Sequence, residues 1–188
     1  MKIDDGKTEG RDGAIINRQS STGNRMKRVY LSLGSNIGDR VAHIRRALAM
    51  LAAAGIKVVR LSSLYKTEPV GLRAQPWFLN CVTEAGTDLM PVQLLHQCQT
   101  VERALGRRPG LSKGPRPIDI DILIYENAVI HSAALTIPHE RMADRRFVLI
   151  PLCEIEPNLR HPVTQRTVAE MLRETSDKSR VIRMMSSE

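Results

Sequence analysis

Apolar positions along this chain alternate between two periods. Short β-rich runs give way to three- and four-residue spacings and then return. Val29-Tyr30-Leu31-Ser32-Leu33 predicts a strand, closed by the turn signal Gly34-Ser35-Asn36. From Asp39 the period lengthens. Val41, Ile44, Leu48 and Leu51 fall on one helical face, and Gly55 ends the helix. Residues 56–65 read as a second strand centred on Val58 and Val59, and Pro69, Gly71 and Pro76 make 66–76 a loop. Residues 78–87 predict a third strand. Pro91 opens a second helix, with Leu94, Leu95, Cys98, Val101 and Leu105 on one face and Gly106 at its end. Residues 118–125 predict a fourth strand and 128–131 a short edge strand; helices are expected around 144–150 and over 168–173.

The order strand, helix, strand, strand, helix, strand is that of two split βαβ halves. It predicts an α/β (α+β) fold: a ferredoxin-like βαββαβ sandwich, an antiparallel sheet with helices packed on it, plus a C-terminal helical extension. Residues 1–25 are polar, mixed in charge and without either period, so a disordered extension is expected there, followed by one domain over 26–188. Many functions share this fold, so function has to come from particular residues.

Composition narrows the field. Hydrophobic residues make up 42% of the 188, enough for a packed core. The formal charge of +8 points to an anionic partner without saying which. Cys81, Cys98 and Cys153 form no metal-binding or redox spacing, and unpaired thiols suit a cytoplasmic location. No run reaches the roughly 18 apolar residues of a membrane span.

Asp119-Ile120-Asp121-Ile122 carries the clearest chemistry. Strand side chains alternate, so both carboxylates share one face and both isoleucines the other. Adjacent like charges weaken a strand unless a counterion joins them, and hard carboxylate oxygens suit magnesium. Alone, the pair fits a solvated strand face equally well. Its neighbours favour a phosphate site: Arg107, Arg108, Lys113 and Arg116 precede it in a Pro- and Gly-rich loop, and His139, Arg141, Arg145 and Arg146 follow Pro138. Phe78 and Phe147 are the two phenylalanines, and either stacking on a flat heterocycle or ordinary core packing would account for them. Asn80 shares the strand face of Phe78 and offers both a donor and an acceptor.

Five segments together carry a family pattern. They are Leu33-Gly34-Ser35-Asn36, Tyr65-Lys66-Thr67-Glu68-Pro69-Val70-Gly71, Gln75-Pro76-Trp77-Phe78-Leu79-Asn80, Gly114-Pro115-Arg116-Pro117-Ile118-Asp119-Ile120-Asp121-Ile122, and Leu135-Thr136-Ile137-Pro138-His139 followed by Arg145, Phe147 and Pro151. Over about residues 28–162 the chain resembles the 6-hydroxymethyl-7,8-dihydropterin pyrophosphokinase family. The resemblance implies diphosphate transfer from ATP to the hydroxymethyl group of the pterin, a step of folate synthesis, with two magnesium ions. It implies that Asp119 and Asp121 hold the metal and act in catalysis with Arg107 and Arg116. Gln99, Glu102, Arg107, Arg116, Ile122, His139 and Arg145 would bind ATP. Thr67, Glu68, Pro69, Val70, Phe78, Asn80 and Phe147 would bind the pterin, with the loops at 67–76 and 107–116 closing over the substrates. The chain departs from the pattern in a slightly shorter 107–116 loop, where Pro109 and Lys113 replace an arginine and a tryptophan. ATP and the pterin are the expected partners of a monomer, with no nucleic acid or membrane. An RNA-recognition module has the same strand order, but its aromatic strand motif is absent and two acids would repel RNA. A metal-dependent phosphoesterase would use the acids without the Phe78/Asn80 element, and an inactive relative would keep the fold alone.

Overall fold

The structure is a computed structural model that describes residues 25–69, 74–107 and 114–185. The expectations for residues 1–24, for Val70 and Gly71, and for Arg108, Pro109 and Lys113 fall outside the described residues.

Strand β1 (Lys27–Ser35) is an interior strand of the sheet, buried along almost its whole length. It pairs antiparallel with β4 (Phe78–Thr87) on one side and β5 (Asp119–Tyr125) on the other. Beyond β4 the sheet continues through β2 (Lys57–Leu61), β3 (Tyr65–Thr67) and β8 (Val181–Arg183). The order β5-β1-β4-β3-β8, with β2 also on β4, is the strand arrangement of the predicted sandwich. A separate pair, β6 (Ile130–His131) and β7 (Thr136–Ile137), forms a small second sheet.

Helices α1 (Arg40–Ala53) and α2 (Pro91–Ala104) cover one face. Asp39 caps α1 by accepting from the Ala42 N–H at 3.0 Å, and Pro91 starts α2 where its missing amide costs nothing. Ile44, Ala47, Leu51, Leu94, Cys98 and Val101 pack on Val29, Leu31, Leu33, Cys81, Ile120 and Ile122. Each such fully buried aliphatic side chain contributes about 1.5–3 kcal/mol. The opposite face is covered by α3 (Arg146–Ile155) and α4 (Val168–Glu174). There Val148, Leu149, Leu152, Val168 and Met171 meet Tyr30, Val82, Leu123 and Ile124. The C-terminal extension therefore supplies a third layer.

Three elements differ from the sequence reading. The predicted 56–65 strand is two strands broken at Ser62-Ser63-Leu64, because Ser62 Oγ caps the ladder by accepting from the Val82 N–H at 3.0 Å. Lys66 and Thr67, expected in a loop, complete β3 through pairing with Leu79 and Phe78. The extension is not wholly helical: it ends in β8, which pairs with β3. Its exposed residues carry no strand periodicity, so only the waiting sheet edge fixes them.

Candidate active site

The cross-strand register builds the site. One row of the sheet runs Asp119, Gly34, Asn80, Tyr65, and a neighbouring row brings Asp121 beside Ser32. Asp119, Asp121, Gly34 and Asn80 share the face that α3 covers only in part. Ile120 and Ile122 turn into the opposite core, as alternation requires. Two interstrand spacings separate Asp119 from Asn80, about 10 Å of trough floored by a residue without a side chain. An ideal Cβ on Gly34 would sit 2.4 Å from Asn80 Oδ1.

Three arginines and a histidine close around the acids. Arg107 bridges Glu102 and Asp119, its guanidinium 2.5 Å from Asp119 Oδ1, and Arg116 stands 2.8 Å from Asp119 Oδ2. His139 Nε2 and Arg145 are each 3.9 Å from Asp121 Oδ2, near enough to attract but outside hydrogen-bond reach. Burial and the charge of Asp119 push Asp121 upward, while His139 and Arg145 pull it back. Glu102, buried on α2, accepts from the Ile120 N–H at 2.7 Å; burial raises its carboxyl to about 7, against the pull of that N–H and of Arg107. Hard oxygen donors at alternate positions of one strand, with cations able to turn from carboxylate to phosphate, fit magnesium and a polyphosphate.

The residues expected to meet the pterin lie across Gly34. Asn80 donates to Thr67 Oγ1 at 2.7 Å, and both are buried. Phe78 lies beside them, with the Arg116 guanidinium 5.7 Å over its ring, and Phe147 carries Arg145 at 5.5 Å. Glu68 and Pro69 follow Thr67 along the same stretch. Gln99 is exposed one turn before Glu102, with no hydrogen bond to this group among the described residues. The Ile122 side chain points into the core, so only its backbone could meet a nucleotide.

The model of the 7,8-dihydro-6-hydroxymethylpterin-pyrophosphokinase (HPPK) family matches residues 30–157. This chain belongs to that family. Among HPPK relatives, 2-amino-4-hydroxy-6-hydroxymethyldihydropteridine pyrophosphokinase of Methylorubrum extorquens is 48% identical over 71% of this chain and 85% of its own. The enzyme of the same name from Bacillus subtilis is 42% identical over 85% of this chain and 96% of its own. A folic acid synthesis protein of Schizosaccharomyces pombe is 45% identical over 84% of this chain. The chain spans about a fifth of that fungal relative's length and of a second one from Pneumocystis carinii (21% and 20%). A Plasmodium falciparum HPPK-DHPS crystal structure superposes with a TM-score of 0.63 at 15% identity, covering 79% of this chain and 44% of that one, which shows the shared fold. The resemblance read from the five segments is borne out, and so is the fold class.

Sequence reasoning missed the part played by Asn36. Its Oδ1 accepts from the Arg116 N–H at 2.7 Å, and its Nδ2 donates to Gln75 Oε1 at 3.1 Å. One side chain thus joins the two loops that flank the trough. Its place in Gly34-Ser35-Asn36 marked a turn, and nothing in that signal tells which loops the turn will meet.

Proposed function

We propose that this chain transfers the diphosphate of ATP to the hydroxymethyl oxygen of 6-hydroxymethyl-7,8-dihydropterin, releasing AMP. Residues 26–188 would carry the activity as one unit. The reading rests above all on Asp119 and Asp121 facing one trough, ringed by Arg107, Arg116, His139 and Arg145, with Asn80 and Thr67 across Gly34. The HPPK membership and the relatives' names support it. The fungal relatives are named for folic acid synthesis, and this chain would serve the same pathway.

Asn80 and Thr67 would hold the polar edge of the pterin, and Phe78 and Phe147 would stack on its ring. Their spacing from Asp119 leaves the hydroxymethyl arm directed along the floor toward the phosphates. Arg107, Arg116, His139 and Arg145 would clamp the polyphosphate through charge-assisted bonds. The hydroxyl oxygen forms a bond to the β-phosphorus as the bond from that phosphorus to the bridging oxygen of AMP breaks, and the hydroxyl proton leaves to solvent. Asp119 and Asp121 would hold magnesium, two ions in this reading, which when bound offsets phosphate charge and fixes in-line geometry. Holding both reactants in register is worth about 7–11 kcal/mol in favourable cases. Free thiols at Cys81, Cys98 and Cys153 suit a reducing cytoplasm. Among the described residues no helix is long and apolar enough to cross a membrane.

The test is AMP release from ATP with magnesium and the pterin, omitting each in turn. Stoichiometric AMP and pterin diphosphate, dependent on both, is the expected result. Asp119→Ala and Asp121→Ala should each lower turnover by about a hundredfold or more. Wild-type turnover in both variants would sink the metal assignment, and binding of neither substrate would sink the reaction.

A further inference from the structure

Residues 175–185 lie beyond the family-matched stretch, which ends at 157, and none of their side chains is assigned to a substrate. They nonetheless bond to both supports of the ring pocket. Asp177 Oδ2 accepts from the backbone N–H of Arg146 at 2.8 Å, in the first turn of α3 and next to Phe147. Ser179 fixes the same carboxylate, donating from its N–H at 2.8 Å and its hydroxyl at 3.0 Å. Three residues after Asp177, the Arg180 N–H donates to Glu68 Oε2 at 2.9 Å, and its carbonyl accepts from the Glu68 N–H at 3.1 Å. The Arg180 guanidinium lies 5.3 Å over the Trp77 ring, and the Lys66 ammonium lies 5.4 Å from that ring's centroid. Glu68 adjoins Thr67, and Trp77 adjoins Phe78. Val181 then pairs with Thr67 as β8 begins.

The tail is therefore fastened at one end to the helix carrying Phe147 and at the other to the strands carrying Thr67 and Phe78. We infer that residues 177–181 are a positioning strap that sets the gap between the two ring supports, and with it pterin affinity, while contacting neither substrate. The inference rests on the ring-pocket reading above. The gap matters because dispersion falls off steeply: opening it by about 0.5–1 Å forfeits a quarter to a half of each stacking contact. ATP, held by Arg107, Arg116 and His139 on the far side of Gly34, would not sense the change.

Trp77 is the one tryptophan of the chain, so its emission reports strap docking directly. Arg180 is exposed, and Arg180→Ala should fold normally, shift the Trp77 emission and raise the pterin KM about threefold. Asp177→Ala with Arg180→Ala should raise it about tenfold, with kcat and the ATP KM within about twofold of wild type. Arg180→Lys should restore most of the loss, since an ammonium also sits well over an indole. Unchanged pterin KM in both alanine variants, or equal weakening of ATP, would overturn the strap while leaving the ring pocket standing. A wild-type chain that binds ATP but no pterin would overturn the ring pocket, and the strap with it.

Discussion

Gly34→Ala tests the geometry of the trough at its floor. Gly34 is an ordinary β-strand residue, so alanine meets no backbone penalty there, and any cost is steric. The new methyl carbon would lie 2.4 Å from Asn80 Oδ1 and 3.7 Å from Phe78 Cδ1. Ordinary van der Waals contact requires the amide oxygen to retreat by about 1 Å. Asn80 is buried, and its Nδ2 holds Thr67 Oγ1 at 2.7 Å, so a shift of that size breaks the bond. Overpacking costs about 1–3 kcal/mol and the lost bond about 0.5–1.5. A loss of about 2 kcal/mol would lower Tm by about 4–8 °C in a chain of this size. Urea unfolding of wild type, Gly34→Ala, Asn80→Ala and the double variant forms the cycle. With the amide removed, the methyl should be nearly free, giving a coupling of at least about 1 kcal/mol. Pterin affinity should fall in Gly34→Ala with nucleotide affinity little changed. Additive effects in the cycle, or wild-type stability in Gly34→Ala, would refute the close approach of Asn80 to Gly34.

Two further outcomes are expected. Phe147→Ala should weaken pterin binding by about tenfold or more and leave nucleotide binding nearly unchanged, as isothermal titration would register; equal losses would remove the ring from the pterin site. Acid stability should depend on Asp177 and Glu154. Burial raises both carboxyls, but the Ser179 and Arg146 N–H groups more than offset this for Asp177. Ser63, Tyr65 and Arg183 do so for Glu154, and both end below their ordinary values. A depressed folded pKa contributes stability above the unfolded value that is lost as pH falls through the folded one. The ordinary values are 3.8 for Asp177 and 4.5 for Glu154, so the urea midpoint should decline below about pH 4.5. Asp177→Asn with Glu154→Gln should flatten that decline, and an unchanged acid limb in the double variant would refute the assignment.

What depends on local period and local chemistry was legible in the amino-acid order. Alternation over Asp119-Ile120-Asp121-Ile122 put two acids on one face and two isoleucines in the core. The apolar spacing of α1 and α2 fixed their buried sides, and the order of elements fixed the antiparallel sandwich. Which distant positions meet was settled by the assembled fold. Gly34 opposite Asn80 and Asp119, Asn36 between the two loops, and Arg180 over Trp77 are consequences of register and docking. The strand at Val181–Arg183 shows why such features were illegible. Its three residues are mostly exposed and too few to show a strand period, and the edge of β3 supplies the hydrogen bonds that make them a strand. Local patterns encode the face a side chain will show; contact between faces is settled by the free energy of the assembled sheet, which no short window contains.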